Sequence, residues 1–273
     1  MSSKKKPTVN QHIVPQAYLR RFATLTENKN YQIGVGIRKK DGRNFFATTQ
    51  SVKNVGFVKN VYEFDCRKDT PNYWENYFAE VIEPFCGTEL SNIISNIESS
   101  QNAAVVLSHE DKCNLSVFIC HQIFRSPQAL EKSIQIGQKS IERGKKEAQS
   151  ILKSSFPPFL HSLLLNALDD ADFSKDEIKD IFMQSMSDVN RQEERTNALL
   201  DKIWIVYENT TQLQFITSDN PVCRKNCVTK SFSFITFISL NSRIYFLIVN
   251  ISLLSGHIIR IPATSFISLT KFL

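Results

Sequence analysis

Three groups of residues combine side chains able to do chemistry with spacings that bring them together. The first is Gln11-His12-Ile13-Val14-Pro15-Gln16-Ala17-Tyr18-Leu19-Arg20-Arg21-Phe22. Pro15 suits the first turn of a helix, which would turn Tyr18, Leu19 and Phe22 inward and leave His12 at the entrance. A histidine there can exchange a proton near neutral pH or ligate a metal, and it can equally cap the helix or bond locally. The second is Phe215-Ile216-Thr217-Ser218-Asp219-Asn220-Pro221-Val222, a strand running into a turn. Asp219 and Asn220 favour turns that bond their own backbone, yet a carboxylate at a strand end also sits on a rigid base suited to catalysis or metal binding. The third is a helix bearing His121, Gln122 and Arg125, in which Gln122 and Arg125, three apart, share a side.

Other chemistries are excluded by pattern. Gly34-x-Gly36 lacks the third glycine and the helix start that bring a backbone against a pyrophosphate, and there is no phosphate-cradling lysine loop, no G-x-S-x-G and no H-E-x-x-H. Cys223 and Cys227 form the one close cysteine pair and have no second pair at zinc-site spacing. His109, His161 and His257 have no acidic or cysteine neighbours at ligand spacing and read as structural.

The elements that must position these groups follow from periodicity. Alternating Tyr31, Ile33, Val35 and Ile37, then Lys40-Asp41-Gly42, then Phe45-Phe46 predict a hairpin, and Val61-Tyr62-Glu63-Phe64 predicts a further strand. Trp74, Tyr77, Phe78, Val81, Ile82 and Phe85 form one helical stripe that Pro84 should kink or end, and Leu90, Ile93, Ile94 and Ile97 resume the period after Gly87. Ser108 with Asp111, and Ser174 with Glu177, stand at capping-box spacing. Pro127 bounds the helix that buries Leu115, Phe118, Ile119 and Ile123, and Pro157-Pro158 breaks the helical region that follows. Strands are predicted at Trp204–Tyr207, Leu213–Thr217, Phe232–Ile238, Ile244–Val249 and His257–Ile261. With strands at both ends, helices between them and no regular βα alternation, the fold class is α+β, its N- and C-terminal strands sharing a mixed or antiparallel sheet around a central helical region. Residues 1–9 read as a disordered basic start and 10–273 as a single domain with a helical insert over about 128–200.

Of the 273 residues, 42% are hydrophobic and 22% charged, which supports a real core and excludes disorder of the whole chain. The basic start runs into polar residues and a proline rather than a secretory apolar run, and the six dispersed cysteines read as reduced thiols, with no disulfide-linked partner expected. Arg243 cuts the apolar stretch 232–259 below the roughly 18 residues a membrane span needs, so the chain reads as cytoplasmic with no span. The net charge of +6 is concentrated at the end: after Asp219 there is no acid, while Arg224, Lys225, Lys230, Arg243, Arg260 and Lys271 remain. This leaves nucleic acid as a candidate partner of the basic C-terminal segment, beside the plainer reading that buried strands simply carry few acids.

The segments singled out above resemble the DUF4238 family, a bacterial domain of unknown function with Q-H-x-V-P-x-x-Y-L-x-x-F and T-S-D-N-P-V blocks. Gln11 to Phe22 is similar to its opening block, Ser51 to Val55 with Val61 to Phe64 to the next, Leu107 to Pro127 to its central helix with an Arg-x-Pro end, and Phe215 to Val222 to its last. After Val222 the pattern departs: Phe237 to Ser242 stands in place of a P-L-S-P-like strand start. The resemblance implies a shared polar site of His12, Gln122, Arg125 and Asp219, since all four fall within the blocks.

Two functions compete for such a site. A hydrolase, with a phosphodiester or nucleic-acid substrate, would use His12 as general base or ligand, Asp219 as metal ligand or orienter of His12, and Arg125 against developing negative charge; its cofactor would be a divalent metal ion. It requires His12 and Asp219 within hydrogen-bond or shared-metal reach. Alternatively, the chain is a non-enzymatic binding or interaction protein, of the kind that serves bacterial stress or phage responses, and the blocks are joints of the fold.

Overall fold

The computed structural model describes residues 8–38, 45–100, 107–170, 172–209, 211–212, 214–225, 232–251 and 258–262. The chain opens with β1 (Asn10–His12), α1 (Gln16–Leu19) and a 3₁₀ turn over Arg20–Phe22, then β2 (Thr24–Leu25), β3 (Tyr31–Arg38), β4 (Phe45–Ser51) and β5 (Phe57–Lys59). Helices follow: α2 (Tyr73–Tyr77), α3 (Glu83–Gly87), α4 (Glu89–Ser99), α5 (His109–Phe124), α6 (Pro127–Ser155), α7 (Pro158–Asp170), α8 (Lys175–Ser187) and α9 (Val189–Leu200). The chain returns to strand in β6 (Ile203–Glu208), β7 (Val222–Lys225), β8 (Phe232–Ser239), β9 (Ile244–Ile251) and β10 (Ile258–Pro262).

This is the expected α+β class with a central helical region, but among the described residues the terminal strands do not share one sheet. They divide into a β1-β5 ribbon, a β2-β3-β4 sheet and a five-stranded sheet ordered β10-β6-β9-β8-β7. The last is mixed, because β10 runs parallel to β6 while its other pairs are antiparallel. The predicted hairpin is β3 against β4, from Gln32 opposite Ser51 to Arg38 opposite Phe45, and its turn lies outside the described residues. Of the expected disordered start, residues 1–7 lie outside them too, whereas the Thr8 amide bonds Asn72 Oδ1 at 2.5 Å and the Val9 carbonyl accepts from the Asn60 amide at 2.9 Å.

The helix boundaries sit where the residue chemistry puts them. Ser108 and Ser174 each accept from the amide three residues on, and Asp111 and Glu177 reach back to complete capping boxes. Pro127 and Pro158 each open a helix, where the missing amide costs nothing. The stripe does not run on as one helix: a π-helical turn over Phe78–Ile82 separates α2 from α3, and Pro84 falls in the first turn of α3, where its missing amide costs little. Two predicted strands are replaced by irregular chain. Asn60 adopts a left-handed φ of 52° that ends β5 before Val61, and the Tyr62 amide then bonds the Gln11 side chain instead of a strand. Of Leu213–Thr217, Leu213 is outside the described residues, and the remainder is drawn off by the Phe215 amide to Ser242 carbonyl bond.

One apolar core runs through these layers, from Tyr18 and Trp74 through Leu115 and Phe118 to Trp204 and Phe246. Tyr18 and Phe118 stack at 5.7 Å, Phe85 and Phe118 at 5.5 Å, and Trp204 meets Phe246 edge-on at 5.7 Å. No helix of the described residues is long and apolar enough to cross a membrane.

Gly56 joins the opening strands to this core. Its carbonyl accepts from both Ile13 and Val14, its φ is +69°, and a Cβ there would stand 2.9 Å from Leu19 Cδ1. Gly56→Ala is therefore expected to cost about 1–3 kcal/mol, through the left-handed backbone and the overlap together, measured as a shift in the urea unfolding midpoint.

Candidate functional site

The site grows from Arg125, at the C-cap of α5. Burying a guanidinium costs several kcal/mol unless partners surround it, and Arg125 is only 1% exposed. Its Nη2 donates to the backbone carbonyl of His12 and lies 3.8 Å from Glu83 Oε1, while its face lies 4.2 Å above the Phe78 ring. The Arg125 carbonyl accepts from the Tyr62 hydroxyl at 2.8 Å. Gln11, also fully buried, accepts from the Tyr62 amide and donates to Glu63 Oε1, each at 2.7 Å, and Glu63 in turn accepts from the Asn72 amide at 3.1 Å. Further along the same opening segment, the Tyr18 hydroxyl bonds the Ser239 carbonyl and lies 3.2 Å from Thr217 Oγ1. The four segments that carry the family resemblance thus touch one another in the fold: the first meets the second through Gln11, the third through His12 and the fourth through Tyr18.

His12 lies on β1 opposite Phe57 rather than at a helix entrance. Burial and then the neighbouring Arg125 charge hold its imidazole below the ordinary histidine range, against a hydrogen bond to the Lys53 backbone that works the other way. Its Nε2 is buried with no hydrogen-bond partner. Glu75, which sequence reasoning passed over because its helix reads as a core stripe, takes a hydrogen bond from the His12 backbone; burial raises its carboxyl above the usual range, with Arg125 opposing. Glu75 Oε2, both polar atoms of Gln122, and Nε and Nη1 of Arg125 are likewise buried without partners. Asp219 is exposed, and no hydrogen bond or charge interaction among the described residues joins it to His12, Gln122 or Arg125. The structure therefore brings together His12 and Arg125, sets Gln122 one turn before Arg125, and leaves Asp219 outside.

The third helix face divides its tasks. His121 turns from Arg125 to a hydrogen bond with the Tyr77 hydroxyl at 3.0 Å, and its Nδ1 bonds the Val117 carbonyl at 2.8 Å. Burial pushes its pKa down to about 4, with the Arg125 and Arg195 charges adding to the effect and the Val117 bond opposing it. His161 bonds the Phe156 carbonyl, and His109 lies 3.5 Å from Cys113 Sγ; His257 lies outside the described residues, as does Cys227. The other five cysteines form no disulfide among the described residues. Among the described residues no group of three or more His, Cys, Asp or Glu side chains is set to hold a metal ion. The basic tail does not gather on one strand: Arg224 and Lys225 belong to β7 and Arg260 to β10, at opposite edges of the sheet.

A second feature adjoins this joint. A groove of about 1030 Å³ runs beside α6 from Ser126 to Ile141, with walls from α5, α6, α8 and α9. Phe124, Ile136, Phe173, Ile181 and Phe182 make it apolar, Lys132 and Arg191 are its charged lining, and among the described residues no carboxylate lines it. Asn220, of the fourth segment, also faces it, with Oδ1 buried and unpartnered. Sequence reasoning missed this groove because its residues come from four elements; the one legible sign was the apolar content of the region around Phe173 and Ile181.

An α+β chain whose separated polar segments meet at its opening segment, three of them around one buried arginine and the fourth at Tyr18, beside an apolar groove, defines the class. The sequence pattern described as "Protein of unknown function (DUF4238)" matches residues 10–258, and the chain belongs to that family. No curated protein and no solved structure matches it.

Two outcomes check this geometry. Arg125→Ala should lower unfolding free energy by about 3 kcal/mol or more, with little rescue by Arg125→Lys, whereas Asp219→Ala should stay within about 0.5 kcal/mol, all by urea titration. A histidine kept neutral by the fold binds fewer protons than it does unfolded, so its contribution is present above its unfolded value of 6.5 and is lost as pH falls from there toward about 4. Urea midpoints should fall across that window in the wild type, and the fall should shrink in His121→Gln.

Proposed function

We propose that this protein is a non-enzymatic binding protein whose groove along α6 and α8 receives an amphipathic partner, with the converging polar segments acting as the joint that holds the groove's walls in register. The observation that carries this reading is the groove itself: Ile136 on α6, Phe173 just before α8 and Ile181 on α8 are 56%, 48% and 52% exposed. Large apolar side chains left wet beside one another mark a surface that something else covers.

The polar cluster supports the same reading. His12 is on β1 and Gln122 and Arg125 are at the end of α5, where Arg125 Nη2 donates to the His12 backbone carbonyl, a contact that positions the strand. A hydrolase built from these residues would need Asp219 beside His12, and that coupling has no support in the hydrogen bonds of either residue. Glu75 and His12 keep buried unpartnered atoms of the kind that a structural joint satisfies with buried water.

The test uses 8-anilinonaphthalene-1-sulfonate, an apolar anion, as the groove probe. It should bind the wild type saturably with a stoichiometry near one, and Ile136→Ser with Ile181→Ser should weaken it about tenfold at an unchanged melting temperature. Dye binding indifferent to both substitutions would place the binding surface elsewhere, and a phosphodiesterase activity abolished by His12→Ala in a folded variant would restore the hydrolase.

A further inference from the structure

Resting on the groove reading, we infer that the occupant is an acidic amphipathic helix from a partner protein. Its length is the first argument. Ser126 to Ile141 spans about 22 Å at roughly 1.5 Å per residue, so a straight segment of about four helical turns matches it. The walls are the second. Apart from Ser126, Phe173 and Asn220 they are helices, and among the described residues no strand residue lines the groove for an extended peptide to pair with, so the partner must satisfy its own backbone bonds; a helix does. The apolar floor from Phe124 and Phe182 to Ile136 and Ile181 suits anchors repeating every three or four residues.

Charge gives the sign. Lys132 and Arg191 line the groove, and among the described residues neither forms an ion pair and no acid lines it to compete for them. A neutral apolar helix would bury or crowd two unpaired cations; carboxylates on the rims of an acidic helix would pair with them. Such rim pairs are screened by salt, so the preference they create is salt-dependent. Arg191 stands near the N-terminus of α9, where its backbone amide donates to the capping Asp188 Oδ1 at 3.0 Å, and its side chain lines the groove.

Three labelled helical peptides of about four turns with one shared apolar face decide the matter, their polar faces carrying glutamate, glutamine or lysine. Fluorescence anisotropy with the full chain should rank them glutamate, then glutamine, then lysine, with glutamate over glutamine by roughly fivefold to tenfold at low salt and a narrowing gap as salt is added. Lys132→Glu with Arg191→Glu, at an unchanged melting temperature, should reverse the order. Equal affinity for the glutamate and glutamine peptides would overturn the acidic assignment while leaving the groove as a binding surface. Binding of the sulfonate dye with none of the peptides would overturn the helix and assign a small anionic amphiphile. If neither dye nor peptide binds, the binding reading itself fails along with this inference.

Discussion

A guanidinium taken out of water must be surrounded, and the way this chain surrounds Arg125 organises everything near it. The His12 carbonyl, the Glu83 carboxylate and the Phe78 face come from three different elements, and each is there because the cation would otherwise be stranded. The bond from Tyr62 to the carbonyl of the same residue draws in a fourth. Because partners removed from a buried charge leave a larger penalty than they ever contributed in net stability, the arrangement discourages β1 from sliding on β5 or α5 from turning about its axis. Tyr18 extends this discipline to the C-terminal sheet through the Ser239 carbonyl. The groove then inherits its shape: Ser126 follows Arg125 directly and caps α6 through the Ala129 amide, so the direction of the groove's longest wall is set at the arginine.

Much of the fold was legible because local signals and burial agree. The capping serines, the prolines at 127 and 158 and the Leu90, Ile93, Ile94, Ile97 stripe all specify elements by mechanisms acting within a few residues, and each element forms where those mechanisms place it. Sheet membership was not legible. Pairing of β1 with β5 rather than with the C-terminal sheet depends on the Asn60 left-handed turn and the Gln11 to Tyr62 bond, which join residues about fifty apart and leave no periodic trace. Val61 to Phe64 illustrates the cost: a good strand composition yields to a polar side chain that takes the backbone's hydrogen bond.

The candidate site divides in the same way. Residue type and spacing pointed to His12, Gln122 and Arg125; of these Arg125 donates to the His12 backbone carbonyl, while Gln122, one turn earlier on α5, is buried with both polar atoms unpartnered. Asp219 satisfied the same reasoning and is nonetheless exposed; its neighbour Asn220 is the member of that turn that faces the groove. A turn rich in polar residues declares that it turns, without declaring which of its side chains points where. Glu75 was hidden for the opposite reason, since it interrupts an apolar stripe as ordinary helix-surface acids do.

The central claim is that the converging segments form one cooperative joint supporting a stable groove wall. Native-state hydrogen exchange under increasing urea measures it most directly. Amides of β1 and β5 and of the last turns of α5 should exchange through a common opening at nearly the global unfolding free energy, while those of the exposed end of α6, beyond Ile141, open at lower cost. Exchange of β1 through a separate, low-energy opening with α5 still protected would contradict the account, because Arg125 would then be buried without its joint.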